Sequence, residues 1–335
     1  MKHQLNQLNQ RNQRRRLLTA LTAGVLLPPL RSIAAEPPLI GYLLLQPLQP
    51  TPTPERQAFL DGLREQGLIE GRDYRILYKS AEMEADFLED AARDLVKAGV
   101  RLIVATGGAS VTMARKVTQS IPIVGISMTD PVPRFAKSLA RPGGNITGLA
   151  NLQFDLAAKR VQLLKEMVPQ MRSFAVIWNA AGGARPAELA EMQRAAAILK
   201  LKLIPASVRD AAELTRVFAR LRRERPDAIH TVIDPQIASY SSLIAGFARA
   251  EKIPTMSGLA QFTRQGGLAS YAPDLATMFR RAGFFVKRIL GGTLAGDLPI
   301  EQPTRIEFIV NLKTAREIGL TVPPVTLLRA DRVIE

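Results

Sequence analysis

Short apolar runs alternate with amphipathic helical segments through the body of the chain, and this alternation is the strongest constraint on its fold. The first apolar run covers 39–45, and the segment 54–66 follows it with apolar residues at helical spacing. The last such pair is a strand at 305–310 and a helix at 311–318. Alternating strands and helices predict parallel sheets covered on both faces, and about ten strands suit two sheets better than one. We therefore predict an α/β fold of two doubly wound parallel-sheet lobes with right-handed crossovers.

The side-chain inventory excludes several kinds of enzyme. The chain of 335 residues has no Cys and two His, of which His3 lies near the amino terminus and His230 lies inside a predicted strand. The absence of Cys excludes thiol nucleophiles, disulfides, iron–sulfur clusters and thiolate zinc sites, and one body histidine cannot form a multi-histidine metal site. This inventory favours binding over most hydrolase chemistry. We expect no metal and no cofactor, and we interpret His230 as a buried structural residue.

The net charge of +15 is concentrated partly at the amino terminus. Six basic residues precede the first acidic residue, so residues 36–335 carry a net charge of +9. The densest basic run of this part, 220–225, lies on a predicted helix with an apolar opposite face, which is typical of a solvated surface. Aromatic residues make up 5% of the chain, and no stacking platform for single strands is evident. We expect no nucleic-acid partner.

Residues 1–35 have the order of a secretory signal peptide. A basic segment ends in three arginines at 14–16, an apolar segment follows, and small residues come just before the body. We expect cleavage after Ala34 or Ala35. The arginines fit a general export signal and a twin-arginine signal equally well. Because no Cys is available for lipid attachment and no later apolar run reaches membrane-spanning length, we expect a periplasmic protein without a lipid anchor.

The turn after the predicted strand at 100–105 suits an anion. It reads Thr106-Gly107-Gly108-Ala109-Ser110 and opens a helix, so its backbone N–H groups and the positive end of the helix dipole can face a carboxylate or phosphate. The alternative is an ordinary strand–helix turn in which Ser110 helps to cap the helix. The residues and glycine spacing of a Walker loop or a dinucleotide fingerprint are missing. Gly108 and Ser110 are the candidate ligand-binding residues of this turn.

A second polar turn, Ser127-Met128-Thr129-Asp130-Pro131, follows the predicted strand at 121–126. Its hydroxyl groups can hydrogen-bond a polar ligand, and Asp130 can pair with an ammonium group. Equally, Asp130 can start the turn before Pro131 without contacting a ligand. Because ligands of such sheets bind at the carboxyl ends of the strands, we predict Thr129 and Asp130 as ligand-binding residues.

The second half of the chain repeats this arrangement. Trp178 and Asn179 end one predicted strand, and Asp234 ends another. The indole of Trp178 can stack on a ligand, or it can anchor the core. Tyr271 is a candidate ring or hydroxyl contact across the cleft, whereas the nearby Asp274 is interpreted as a helix cap.

Several segments of the body together resemble one known family. The segments are Ala58-Phe59-Leu60-Asp61-Gly62-Leu63-Arg64-Glu65, Ile103-Val104-Ala105-Thr106-Gly107-Gly108, Ile121-Pro122-Ile123-Val124, Asp130-Pro131-Val132, Ser138 to Gly148, Leu298 to Thr304, Asn311 to Ala315 and Leu327 to Asp331. The most specific is Ala140-Arg141-Pro142-Gly143-Gly144-Asn145-Ile146-Thr147-Gly148. From about residue 38 to the end, the chain resembles the ABC-transporter substrate-binding protein family that includes tryptophan- and tyrosine-type binders.

The resemblance implies a periplasmic binding protein fold of type I, with two lobes, a hinge of three chain segments, a ligand between the lobes and no catalytic residues. On this basis residues 36–149 plus 269–298 are expected to form lobe 1, and residues 150–268 plus 299–335 are expected to form lobe 2. The partners implied are a small-molecule solute and an ABC permease in the inner membrane, and we expect a monomer.

The loop after the first strand departs from the family pattern. Residues 46–54 contain four prolines, which stiffen the loop, and Gln46 offers an amide where the family commonly has a hydroxyl group. This departure separates the chain from the amino-acid binders at one position, so the expected ligand class is a small polar or amphipathic solute, of which an amino acid or a related compound is one example.

We interpret the chain as an exported receptor of an ABC importer that closes on this solute and delivers it to the permease. If the solute is an amino acid, the helix end at Gly108–Ser110 takes the carboxylate and Asp130 or Asp234 takes the ammonium group. Two alternatives stay open: a ligand-sensing subunit for a membrane signalling receptor, and an enzyme on the same fold with Asp130 and Asp234 as acid and base. The predicted ligand-binding residues are Gln46, Gly108, Ser110, Thr129, Asp130, Trp178, Asn179, Asp234 and Tyr271.

Overall fold

Two sheets with helices on both faces organise the part of the chain that the computed structural model describes, residues 36–84, 86–180 and 185–335. The predicted signal peptide at 1–35, with both candidate cleavage sites, lies outside the described residues. Residues 37–335 pack as one compact unit. No helix in the described part is long and apolar enough to cross a membrane.

The first sheet, which forms lobe 1, is parallel throughout. Its strands, numbered in chain order, are β1 (Leu39–Leu44), β2 (Arg75–Ser80), β3 (Leu102–Thr106), β4 (Ile123–Met128), β5 (Ile146–Ala150) and β11 (Ile300–Glu301). They lie side by side in the order β2-β1-β3-β4-β5-β11. The helices of this lobe are α1 (Pro54–Glu65), α2 (Phe87–Lys97), α3 (Gly107–Val117), the short α4 (Pro131–Arg134) and α11 (Leu275–Leu290), followed by a 3-10 turn at Ala295–Asp297.

Helices α1 and α11 cross on one face of this sheet with their backbones in contact. A Cβ atom on Gly62 would lie 2.0 Å from the carbonyl oxygen of Arg280, and one on Gly283 would lie 2.4 Å from the carbonyl carbon of Gly62. Only glycine fits at either position. Helices α2 and α3 cover the opposite face, where Leu88 and Leu95 are fully buried. The late helix α11 is therefore an integral part of lobe 1.

The second sheet forms lobe 2. Its strands are β6 (Ser173–Asn179), β7 (Lys202–Val208), β8 (Ala228–Thr231), β9 (Thr255–Ser257), β10 (Ala269–Pro273), β12 (Ile306–Asn311) and β13 (Arg332–Ile334), in the order β13-β12-β10-β9-β8-β6-β7. The helices of this lobe are α5 (Ala157–Met167), α6 (Arg185–Ile198), α7 (Ala211–Glu224), α8 (Pro235–Ser239), α9 (Ser241–Ala250), α10 (Ala260–Arg264), α12 (Leu312–Glu317) and α13 (Pro324–Leu327). Helices α5 and α6 pack on one face of the sheet, and α7 and α9 pack on the other.

Helix α7 shows how the local sequence determines where a helix begins and ends. The side chain of Asp210 accepts a hydrogen bond from the Glu213 backbone N–H (2.7 Å), and the helix ends where Arg225 adopts a left-handed conformation. Leu214 and Leu221 are buried on one face, while the basic run at 220–225 includes the exposed Arg222 and Arg223. The prediction of a solvated basic face is confirmed.

The predicted α/β fold with two parallel-sheet lobes is confirmed, with one exception to the parallel arrangement. Strands β10 and β12 pair antiparallel, Tyr271 opposite Phe308. Because β12 enters the sheet from lobe 1 rather than from a β–α crossover within its own lobe, no crossover forces the parallel direction. Strands β9, β10, β11 and β13 were not predicted, since none of them contains an apolar run that is long enough to be recognised in the sequence.

The chain crosses between the lobes three times, and two of the expected boundaries shift. The crossings are at 151–156, at Asp274 and at 302–305. Strand β10 was expected in lobe 1 but pairs with β9 and β12 of lobe 2, whereas β11 was expected in lobe 2 but pairs with β5 of lobe 1. The second and third crossings are joined by a hydrogen bond from the Asp274 N–H to the Arg305 carbonyl oxygen (3.1 Å).

Candidate functional site

The predicted ligand-binding residues fall on the edges of the two sheets where the parallel strands end, with one exception. Gln46 follows β1, Gly108 and Ser110 follow β3, Thr129 and Asp130 follow β4, Trp178 and Asn179 end β6, and Asp234 follows β8. Tyr271 is the exception, since it is the central residue of β10. The carboxyl edge of an open α/β sheet is the place where such folds bind ligands.

The turns after β3 and β4 lie against each other at the edge of lobe 1. A Cβ atom on Gly108 would stand 3.9 Å from the Thr129 backbone nitrogen, its nearest neighbour. The first turn of α3 receives no side-chain cap from any described residue, because Thr106 at its N-cap makes no such hydrogen bond. Its N–H groups and the positive end of the helix dipole therefore remain available for an anion.

Ser110 takes no part in this edge in the present conformation. Its side chain is fully buried with Val111 and Ala114 on the inner face of α3, and its hydroxyl group has no hydrogen-bond partner among the described residues. The predicted ligand contact and the alternative helix cap both require the hydroxyl group at the end of the helix. Neither arrangement is present, because the fourth residue of a helix that begins at Gly107 turns toward the sheet.

Asp130 lies at the edge with its carboxylate free. The residue is exposed, and its side chain makes no hydrogen bond or ion pair with any part of the chain that the structure describes. Its backbone is left-handed, with φ of 46°, and Ser127 near the end of β4 has φ of 61°. Aspartate tolerates this conformation better than most residues, which is one structural reason for its presence. The free carboxylate is nevertheless the group that an ammonium ligand needs.

Thr129 has already used its single hydroxyl donor. Its Oγ1 donates to Oε1 of Gln153 (3.2 Å) and accepts from Nδ2 of Asn151 (3.1 Å). A hydroxyl group has one donor and two acceptor sites, so Thr129 can offer a ligand only one further acceptor site. Thr129 can therefore contact a ligand only by accepting a hydrogen bond, and it cannot donate one.

Asp234 and Asn179 hold each other at the edge of lobe 2. Nδ2 of Asn179 lies 3.2 Å from Oδ1 and 3.3 Å from Oδ2 of Asp234. The same Oδ1 accepts the backbone N–H groups of Gln236 (2.8 Å) and Ile237 (3.2 Å), which caps helix α8. Burial raises the pKa of Asp234, against the lowering effect of these hydrogen bonds. Asp234 therefore has a structural role. Its Oδ2 accepts only the Asn179 amide, so Oδ2 is the carboxylate oxygen that can accept further hydrogen bonds from a ligand.

The two aromatic candidates of lobe 2 belong to its core. Trp178 is 5% exposed and packs with Phe174 and Val176, so the core-anchor alternative describes its position better than the stacking role. Tyr271 is half-buried, with its ring edge-on to Phe308 at a centroid distance of 6.4 Å. Gln46, by contrast, is exposed, and its carbonyl oxygen accepts the Ser80 hydroxyl group (2.7 Å).

A buried polar cluster beside these residues was not predicted. Gln153, Arg160 and Glu188 are 3%, 0% and 0% exposed, and they contact one another. Nη1 of Arg160 donates to the Gln153 carbonyl oxygen (3.0 Å) and lies 3.4 Å from Oε1 of Glu188, while Nε2 of Gln153 donates to Oε2 of Glu188. Burial raises the pKa of Glu188 to about 7, against the lowering effect of the Arg160 charge, and burial lowers the pKa of Arg160.

A sequence signal for this cluster exists. Arg160 lies four residues before Leu164, and Glu188 lies four residues before Met192, so each charged residue falls on the apolar stripe of its helix. A charge on a buried stripe indicates a partner, because an unpaired buried charge is strongly destabilising.

His230 is the structural residue that we expected. It is fully buried in β8, neither ring nitrogen has a hydrogen-bond partner in the described part of the chain, and burial lowers the pKa of the ring to about 3. The imidazole is therefore neutral at physiological pH.

No metal centre marks this edge in the described part of the chain. Among the described residues, no three His, Asp or Glu side chains come together as metal ligands. Two cavities, of about 670 and 470 Å³, lie at the opposite edges of the lobes; Arg101 and Asn145 line the first, and Pro226 and Pro254 line the second. These residues precede strands, so neither cavity belongs to the carboxyl-edge site.

Comparison with known proteins identifies the family of this chain. The family model described as ABC transporter substrate binding protein matches residues 49–334. A tyrosine-binding protein of Clostridioides difficile (strain R20291) is 24% identical over 267 residues, which are 79% of this chain and 76% of the relative.

Two solved structures share the fold over 89% of this chain and 100% of their own, each with a TM-score of 0.82: a conserved domain protein of Vibrio cholerae at 26% identity, and an ABC domain in complex with L-Trp from Streptococcus pneumonia at 24% identity. The family and the named relative are substrate-binding proteins rather than enzymes. Because the family model covers most of the chain and the fold agrees, the chain belongs to the ABC transporter substrate-binding protein family.

Proposed function

We propose that this protein is the exported solute receptor of an ABC importer, a monomer that closes its two lobes on a small polar or amphipathic solute and delivers it to an inner-membrane permease. The observation that carries the proposal is the pair of polar sheet edges joined by three chain crossings. Rigid lobes on such a hinge can close around a ligand and release it on opening.

The polar groups at these edges favour a zwitterion, such as an amino acid or a related compound. The uncapped first turn of α3, at Gly107 and Gly108, suits a carboxylate. The free carboxylate of Asp130 suits an ammonium group, and Asp234 is the second candidate because its Oδ2 is less used. The tyrosine-binding relative and the L-Trp complex support this solute class.

The family and the sequence of residues 1–35 support the proposed cellular location. Substrate-binding proteins of this family are extracellular or periplasmic. The signal-like segment at 1–35 supports a periplasmic location with cleavage after Ala34 or Ala35. Amino-terminal sequencing of periplasmic protein should begin at Ala35 or Glu36, and recovery of intact Met1 protein from the periplasm would contradict this assignment.

The binding function is tested with protein purified without refolding, so that a solute acquired in the cell is retained. Native mass spectrometry should show a mass increment that disappears after denaturation and dialysis. Calorimetric titration of the emptied protein with that solute should then show one site, and small-angle scattering should show a smaller radius of gyration. A tightly bound solute that leaves the scattering curve unchanged would contradict the two-lobe closure.

A further inference from the structure

Gln153 lies in the first crossing segment, and its side-chain amide contacts both lobes. Its Oε1 accepts the hydroxyl proton of Thr129 (3.2 Å), which lies at the edge of lobe 1. Its Nε2 donates to Oε2 of Glu188 on α6 and to the carbonyl oxygen of Ile233 (3.0 Å), both in lobe 2. The side chain is buried, so these hydrogen bonds are not exchanged for water while the lobes keep their present orientation.

Arg160 ties the same crossing to the next one. Its Nη1 donates to the carbonyl oxygen of Gln153 (3.0 Å), and its Nε donates to the carbonyl oxygen of Tyr271 (2.8 Å). Tyr271 lies on β10, which leads into the second crossing at Asp274. The guanidinium group therefore links the backbone at the first crossing to the strand that enters the second.

Packing leaves this guanidinium group little freedom. A Cβ atom on Gly258, which follows β9, would lie 2.8 Å from Cζ of Arg160, so the group rests directly on the backbone at that strand end. Glu188 is fully buried beside it. The pair thus has the rigidity needed to hold the Gln153 amide in a fixed direction.

Hydrogen bonds inside one lobe would be unaffected by rotation of the lobes. The Gln153 side chain, by contrast, has hydrogen-bond partners in both lobes. We propose that Gln153 couples the orientation of the two lobes through its hydrogen bond to Thr129, with Arg160 and Glu188 as the positioning residues that hold its amide. The hydrogen bond selects the lobe orientation of this structure over other orientations. This coupling deepens the proposed function, since a binding protein of this kind works by changing lobe orientation.

The size of the effect follows from the number of bonds involved. Removal of one buried hydrogen bond between the lobes should reduce the ratio of the present orientation to the alternatives by roughly fivefold. No solute is needed to measure this ratio.

The experiment uses fluorescence energy transfer in the solute-free mature protein. Because the chain has no Cys, Asp90→Cys and Arg223→Cys introduce two unique labelling sites at exposed positions, one on α2 and one on α7. Single-molecule measurement then gives the distribution of distances between the lobes. This labelled protein is the parent for two variants of nearly unchanged volume, Thr129→Val and Gln153→Met.

The matched control is Thr147→Val. Thr147 is also a buried threonine, but its hydroxyl oxygen lies 3.0 Å from the carbonyl oxygens of Leu298 and Pro299, so its single proton is donated inside lobe 1. Its loss should lower the melting temperature without moving the distance distribution. Thr129→Val and Gln153→Met should each move the distribution away from the parent distance, and the double variant should move it no further than Gln153→Met alone.

Unchanged distributions in Thr129→Val would overturn the proposal, and so would an equal shift in Thr147→Val or additive shifts in the double variant. If Gln153→Met fails to fold, Thr129→Val tests the same hydrogen bond from the other lobe. A protein that binds solute but keeps an unchanged distribution in Thr129→Val would reject the coupling alone. A protein that shows the shift but retains and binds no solute would reject the proposed function alone.

Discussion

The carboxyl edges of the two lobes differ in how their polar groups are used. At the lobe 1 edge, the Asp130 carboxylate is exposed and free of any described partner, and the first turn of α3 has no side-chain cap. At the lobe 2 edge, Asp234 caps α8 and holds Asn179, while Arg160 and Glu188 are buried together. Lobe 1 therefore offers groups that a solute can satisfy, whereas those of lobe 2 largely satisfy one another.

This difference separates two tasks that a binding cleft must perform. Groups that are free before binding can discriminate between solutes, since a mismatched solute leaves them unpaired. Groups that are already paired keep the frame rigid and reduce the ordering required on binding. We infer that substitutions at the lobe 1 edge change affinity with little effect on stability, and that substitutions in the lobe 2 cluster do the reverse.

The largest expected effect is on stability, in the lobe 2 cluster. Glu188→Leu leaves the Arg160 guanidinium buried without its carboxylate, and the free energy of unfolding should fall by about 3–5 kcal/mol. The double variant Arg160→Met/Glu188→Leu should recover most of this loss, because a buried ion pair can be replaced by apolar side chains at little cost. Denaturant unfolding of the three proteins measures both changes.

The control for this substitution lies on the same helix. Glu191 pairs with Arg194 on the exposed face of α6, and Glu191→Ala should change the free energy of unfolding by less than about 1 kcal/mol. If Glu188→Leu were as mild as Glu191→Ala, the interpretation of the lobe 2 edge as a mutually paired frame would be wrong.

The next effect is on affinity, at the lobe 1 edge. For a solute with an ammonium group, Asp130→Asn should weaken binding by roughly a hundredfold or more, since loss of one partner of a desolvated charge pair costs about 2–5 kcal/mol. The melting temperature of the empty protein should hardly change, because asparagine also tolerates the left-handed backbone at this position.

Asp234→Asn is the matched variant for Asp130→Asn. It should weaken binding less, because the Asp234 carboxylate already serves Asn179 and the start of α8. Calorimetric titration of both variants separates the two edges. Unchanged affinity in Asp130→Asn together with a large loss in Asp234→Asn would reverse the comparison.

A smaller effect is the pH dependence of stability from Glu188. Burial raises the pKa of Glu188 from an ordinary value of 4.5 to about 7, so the folded state holds this proton more tightly than the unfolded state. Its contribution to stability is complete below about pH 4.5 and is lost as the pH rises to about 7, with a slope of at most about 1.4 kcal/mol per pH unit. Glu188→Gln removes this slope.

Other titratable groups around Glu188 make the comparison with Glu188→Gln necessary. The pKa of His230 is lowered to about 3, so His230 contributes stability that is lost as the pH falls below about 6.5, the opposite sign. Asp234 also faces the cluster, with a raised pKa, and Arg160 stays charged. The difference between the parent and Glu188→Gln in denaturant unfolding from pH 4.5 to 8 isolates the Glu188 contribution. A difference that does not vary with pH would contradict the assignment.

Much of the fold could be predicted from the sequence because its periodic signals are long. Helix α11 shows a clean apolar stripe over 16 residues, whereas β9 has three residues and offers no period to detect. The crossings were misplaced near β10 and β11 because strand pairing between distant parts of the chain leaves no local pattern. The antiparallel direction of β12 depends on the same long-range pairing.

The site was predictable as a location but not as a set of roles. The rule that ligands bind at the carboxyl ends of strands led to Asp130 and Asp234, but side-chain direction decided what each residue does. Ser110 and Trp178 turn into the core, which depends on where a helix begins and which face of a strand is covered. Gln153 was not predicted, because its three hydrogen-bond partners are 24, 35 and 80 residues away in the sequence.

The smallest expected effect compares one glycine from each edge. A Cβ atom on Gly108 meets only the Thr129 nitrogen, at 3.9 Å, and Gly108 has no positive φ, so Gly108→Ala should raise the free energy of unfolding by about 0.4–1 kcal/mol through the unfolded state. A Cβ atom on Gly258 would lie 2.5 Å from the Ile233 side chain and 2.8 Å from Cζ of Arg160, so Gly258→Ala should lower it by about 1–3 kcal/mol. Thermal melts of the two variants measure these changes in stability, which report how closely each glycine is packed. Similar losses at both positions would show that the lobe 1 edge is packed as tightly as the lobe 2 edge, and the separation of a solute-binding edge from a structural one would fail.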